Sequence, residues 1–109
     1  MKHLHFSNEK AREVSVKHYS GSLSPTAMRQ KATSIITAPW IVYTDHMTEG
    51  RDPQYHFLRL SGGQFEMAVI EKAAWDRGEI AKVFTVYPTT RKTVAERVAS
   101  GRYTAIAKQ

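Results

Sequence analysis

The apolar residues change their spacing along the chain. Between Pro25 and Ile36, residues Ala27, Met28, Ala32, Ile35 and Ile36 recur at helical intervals, which lays their side chains along one stripe of a helix. Ser24 supplies the N-cap, and Pro25 stands at the first helical position, where its missing N–H costs nothing. Pro39 ends the helix, because the residue before a proline avoids the α region. Upstream, Ser7 fits an N-cap for a helix over Asn8–His18, with Glu9 well placed for the helix dipole. Its apolar stripe is weak: Val14 with Lys17 and His18. Tyr19–Leu23 is a loop by composition, and Met1–Phe6 fits a short strand or a loose end.

From Trp40 the period falls to two. Trp40–Thr44, Tyr55–Leu60, Phe65–Lys72 and Ile80–Tyr87 read as strands rich in aromatic and β-branched residues. Asp45–Pro53 is a turn-rich connection, Ser61–Gln64 a tight turn, and Asp76-Arg77-Gly78 another turn signal. Pro88 stops the fourth strand. Thr89 or Thr90 then caps a short helix ending near Ser100, with Gly101 as C-cap and Arg102–Ala107 as a last short strand. This order predicts an α+β domain: N-terminal helices packed on one face of a four-stranded antiparallel meander, followed by a short C-terminal helix. The whole chain, 1–109, forms one domain, with a core over about 18–90 and a basic C-terminal extension over 91–109.

Hairpin geometry assigns faces. With Ser61–Gln64 as the loop, Leu60 lies opposite Phe65, Arg59 opposite Glu66 and Leu58 opposite Met67. Leu58, Leu60, Phe65, Met67 and Val69 then share one face, expected to pack on the second helix. Pairing Val69 with Phe84 puts Arg59, Glu66 and Tyr87 in one row on the other, polar face. Thr85 lies one row away and Lys72 at the far end. Such a face, flanked by His18, carries the groups that metal-free RNA cleavage needs. Glu66 serves as base, His18 as acid, Arg59 and Lys72 as phosphate clamp, and Tyr87 and Thr85 as hydrogen-bond donors. The plain alternative is a stabilising Arg–Glu cross-strand couple on a solvated sheet face.

Charge sharpens this picture. Sixteen Lys and Arg against ten Asp and Glu leave a net +6, which attracts polyanions or simply keeps a small domain soluble. The densest basic stretch is C-terminal, and Arg91, Lys92, Arg97 and Arg102 are candidate nucleic-acid contacts. The absence of cysteine excludes a disulfide framework, a thiolate nucleophile and a cysteine-based zinc site, and is compatible with a reducing, cytoplasmic setting. No apolar run reaches the ~20 residues of a membrane span, and Met1–Tyr19 has no secretory apolar region. No membrane partner is expected.

Of the five histidines, His3 and His5 form an H-x-H pair without a clear further ligand. His46 lies in a loop, and His56 falls on the core face, where a hydrogen-bonded, partly buried ring is the ordinary role. His18, at a helix–loop junction, is the favoured catalytic candidate. No metal or cofactor is expected. There is no phosphate-binding glycine loop, nucleophile elbow or H-E-x-x-H.

The stretch His18–Leu23, Ser24-Pro25, the helix to Ile36, Ala38-Pro39 and the ending Phe84-Thr85-Val86-Tyr87-Pro88-Thr89 resembles small RNase toxins of the barnase–EndoU–colicin–RelE-like group. The resemblance covers about residues 18–90 and lies in element order plus a few residues. It implies His18 as the early histidine, Arg59 and Lys72 as basic strand residues, and Thr85 or Tyr87 as the last-strand group. Glu66 matches only the barnase-like version. The expectation is a metal-independent endoribonuclease leaving a 2′,3′-cyclic phosphate and held in check by an acidic inhibitor protein. A non-enzymatic phage or mobile-element protein that binds nucleic acid, or a host nucleic-acid enzyme, stays open. So does a DNA-binding regulator using its strands as a ribbon. Pairing of Arg102–Ala107 across a sheet edge would give a homodimer.

Overall fold

The computed structural model describes residues 4–46 and 50–106. The helix starts follow their caps. α1 (Asn8–Tyr19) begins where Ser7 Oγ accepts from the Lys10 N–H, and α2 (Pro25–Thr37) where Ser24 Oγ accepts from the Ala27 N–H. Between them, Ser15 Oγ donates to the Leu23 carbonyl at 2.8 Å and accepts from the Leu23 N–H at 3.1 Å. That buried hydroxyl folds α2 back beside α1. The strands are β1 (Leu4–His5), β2 (Ile41–Asp45), β3 (Gln54–Ser61), β4 (Gln64–Glu71), β5 (Ala81–Thr89) and β6 (Tyr103–Ala105). A short α3 (Lys72–Asp76) begins the connection read as a turn, and α4 (Arg91–Ala99) is capped by Thr90.

The fold is α+β, but its sheet is six-stranded and mixed, in the order β1-β5-β4-β3-β2-β6. The expected four-strand meander is its middle. β1 adds a parallel edge through Leu4 and His5, and β6 pairs antiparallel with β2. β6 pairs with β2 within its own chain and is itself one edge of the sheet. Residues 91–106 are likewise part of the fold and not an appended extension. β5 runs through Pro88, which was expected to stop it. β1 pairs with β5 only at Ala81 and Lys82, so an edge position tolerates the missing N–H.

The β3–β4 register matches the expectation: Leu60 opposite Phe65, Arg59 opposite Glu66 and Leu58 opposite Met67. Gly62 and Gly63, at φ +57° and +80°, make the two-residue turn that sets it. The next pair differs. Val69 lies opposite Thr85 and Ile70 opposite Val83, with a bulge that leaves Phe84 as the extra residue. Tyr87 therefore stands opposite Met67 and not beside Glu66.

The faces also exchange roles. α1 and α2 cover the face bearing Phe57, Ala68 and Ile70, the one read as polar, and Val86 joins them there. Leu58, Met67 and Val69 pack instead with Tyr43, Tyr103 and Val94 of α4 on the opposite face. Both faces are covered, so the central strands carry apolar residues on each. Met28 and Ile35 of α2 are fully buried, each stabilising the helix–sheet contact by roughly 1.5–3 kcal/mol.

Candidate functional site: a basic cleft on the α4 face

The residues expected to act together separate into groups. Glu66 is 3% exposed and lies under α1 and α2. Tyr19 Oη donates to it at 2.7 Å, and Lys31 Nζ sits 2.8 Å from its other oxygen. Burial, and then the bond to Glu66, push the Tyr19 phenol well above its ordinary range. Glu66 is thus a neutralised core anchor, unable to meet a substrate as a base. Arg59 donates to the Ser34 carbonyl at 2.9 Å, closing the end of α2. Lys72 pairs with Asp76 at 2.7 Å and lies over the Tyr55 ring. Arg91 and Lys92 lie exposed at the start of α4, with Lys92 4.0 Å from Glu96. None of these five joins the cleft described next.

The Glu66 anchor gives a direct check. Glu66→Gln keeps an acceptor for Tyr19 but removes the charge facing Lys31. Stability falls by about 1–2 kcal/mol in urea unfolding, while amide shifts around Arg97 and Arg102, on the other face of the sheet, stay in place.

The other candidates converge. An open cleft of about 530 Å³ is lined by Lys17 and His18 from α1, Thr85 and Tyr87 from β5, Arg97 from α4 and Arg102 beside β6. His18 lies against Tyr87, ring centroids 5.7 Å apart. Partial burial, and then the charge of Lys17, lower the His18 pKa and so favour its neutral ring.

Beneath the cleft runs a buried polar chain. Arg102 grips Asp45 with Nε and Nη2, each at 2.9 Å. Asp45 is 0% exposed, and His56 Nε2 lies 3.0 Å from its Oδ2. His56 Nδ1 is 2.7 Å from Tyr103 Oη, and Arg97 Nη1 donates to Tyr103 at 2.7 Å and to Tyr87 at 2.9 Å. Burial is the main force on His56 and lowers its pKa to about 4; Asp45 opposes this in part. Burial keeps the ring neutral, and the nearby Arg97 and Arg102 charges add to this. Its Nε2–H then donates to Asp45, and Nδ1 accepts from the Tyr103 hydroxyl. Arg97 is held from below through a single nitrogen.

Sequence reasoning missed Asp45, Tyr103 and Lys17 and gave His56 only an ordinary core role. The available signal was periodic: Tyr43 and Asp45, two apart on β2, face inward together. As for the remaining histidines, His46 bonds Thr104 at 2.8 Å and His5 is exposed on β1. His3 lies outside the described residues.

Comparisons with protein-family models, curated proteins and solved structures found no match. Among the described residues, no helix is long and apolar enough to cross a membrane.

The neutral His56 gives acid sensitivity. The unfolded chain has a histidine of ordinary pKa, 6.5, and the folded one about 4. Between those values the unfolded state binds more protons, so stability is complete above pH 6.5 and is lost as pH falls toward 4. The loss attributable to His56 is on the order of 2–3 kcal/mol. Unfolding titrations of wild type and His56→Gln check it: the variant's pH slope is shallower across that window.

Proposed function

We propose that the protein is a metal-independent endoribonuclease acting in the cleft between α1, β5 and α4. One observation carries this reading: His18, Thr85, Tyr87, Arg97 and Arg102, remote in sequence, line one cleft with Lys17. A phosphodiester there meets the cations of Lys17 and Arg97, which offset the charge that builds on phosphorus oxygens in the transition state, beside Arg102, whose charge Asp45 balances. Neutral His18 takes the proton of the 2′-hydroxyl. The 2′-oxygen then bonds to phosphorus and the bond to the 5′-oxygen breaks. The Tyr87 hydroxyl, which accepts from Arg97, gives the leaving oxygen its proton. Thr85 donates to a non-bridging oxygen. The products are a 2′,3′-cyclic phosphate and a 5′-hydroxyl, with no added reactant.

The test is incubation of folded protein with tRNA and mRNA in EDTA, followed by end-group analysis. Cyclic-phosphate ends are expected, and RNA left intact overturns the reading. The second reading is a non-enzymatic nucleic-acid binder. It is favoured by the absence of any carboxylate among the described residues lining the cleft, which leaves His18 as the half-exposed histidine there. It predicts intact RNA but retention that weakens steeply with salt.

A further inference from the structure

The bulge at Val69–Ile70 inserts Phe84 as an unpaired residue of β5. Bulges re-aim side chains beside functional sites. Phe84 here is half-buried against the α4-side core and borders two depressions at once. One is the basic cleft. The other, about 270 Å³, also contains Arg51, Asp52, Gln54, Glu71 and Lys72. Phe84 and Gln54 are common to both and form the ridge between them.

The two depressions differ chemically. The first presents cations, with no carboxylate among the described residues lining it, and suits a phosphate. The second carries charges of both signs, and its Lys72 is already engaged by Asp76 at 2.7 Å. Its carboxylates repel a phosphate but accept N–H groups, and the Gln54 amide both donates and accepts. Such a set suits a neutral ring with hydrogen-bonding edges. Its volume lies just below the ~300–1,000 Å³ of drug-sized ligand sites, in keeping with a fragment. An aromatic ring at the rim adds a stacking surface.

We infer that Phe84 and Gln54 build a nucleobase subsite beside the phosphate cleft, so that the ligand is a single-stranded polynucleotide with one unpaired base seated there. This rests on the reading of the cleft as a phosphodiester site. A duplex is disfavoured in that pose, because its base would have to be unpaired and unstacked at a cost of a few kcal/mol.

The experiment measures binding of two strands of equal length by fluorescence anisotropy: a 2′-O-methyl RNA hexamer, which cannot be cleaved, and the same backbone without bases. Wild type is expected to hold the base-bearing strand about tenfold more tightly. Phe84→Leu brings that strand down to the abasic level, Phe84→Trp does not, and Lys17→Glu weakens both strands. Equal binding of the two strands by wild type, with Lys17→Glu still weakening both, overturns the base subsite and leaves the phosphate cleft standing. Failure to bind either strand at low salt, or indifference to Lys17→Glu, overturns both. If Phe84→Leu does not fold, the two-strand comparison on wild type decides alone.

Discussion

On the proposed mechanism, replacing His18 by alanine lowers the RNA cleavage rate by roughly 10²–10⁴-fold, the range for losing a positioned general base. The ring is half-buried and its contact is with the Tyr87 ring, so the fold survives its removal and circular dichroism stays unchanged. The pH profile separates this role from a merely structural one. A base must be neutral to act, so the rate rises with pH through a value below the ordinary 6.5. Lys17 helps hold that value down. Lys17→Ala therefore moves the rising limb toward higher pH, besides weakening substrate binding. A His18→Ala protein that cleaves at the wild-type rate removes His18 from the chemistry. In contrast, Glu66→Gln leaves cleavage unchanged, because Glu66 lies on the other face of the sheet under α1 and α2.

Asp45→Ala destabilises the fold by about 3 kcal/mol, near the lower end of what breaking a buried ion pair costs. The carboxylate is fully buried and holds two guanidinium bonds at 2.9 Å and the His56 ring at 3.0 Å. Its loss strands the His56 Nε2–H in the interior. The cost stays toward the lower end because Arg102 is 42% exposed and returns to water when its partner goes. Against a typical domain stability of about 5–15 kcal/mol this is a large fraction. Asp45→Asn keeps an acceptor for His56 and loses less. Urea unfolding of both variants measures the difference, and a loss under about 1 kcal/mol for Asp45→Ala would reduce the Arg102 contact to a surface ion pair. The same variant loosens Arg97, since the chain Asp45–His56–Tyr103–Arg97 ends in the cleft.

Helix ends and the first hairpin were legible in the residues themselves. Ser7, Ser24 with Pro25, and Thr90 each satisfy an N–H three residues away or less, and Gly62-Gly63 sets the β3–β4 register within two residues. These are local interactions, complete within one turn of chain. The α4 face was partly legible too: His18, Thr85, Tyr87, Arg97 and Arg102 were singled out, though Thr85 and Tyr87 were assigned to the wrong face. That error came from one residue. β4 and β5 are joined through α3 and a turn, which leaves their register to packing. The bulge at Phe84 shifts it by one, and in a strand a shift of one exchanges faces. The burial of Glu66 depended on Tyr19 and Lys31 arriving from two helices. The cleft depended on α4 and β6 closing over the far side of the sheet. Sequence alone therefore determined the elements and their local ends, because caps and tight turns are short-range. The tertiary structure decided which face each strand presents and which charges meet, because those depend on contacts between residues as far apart as Asp45 and Arg102.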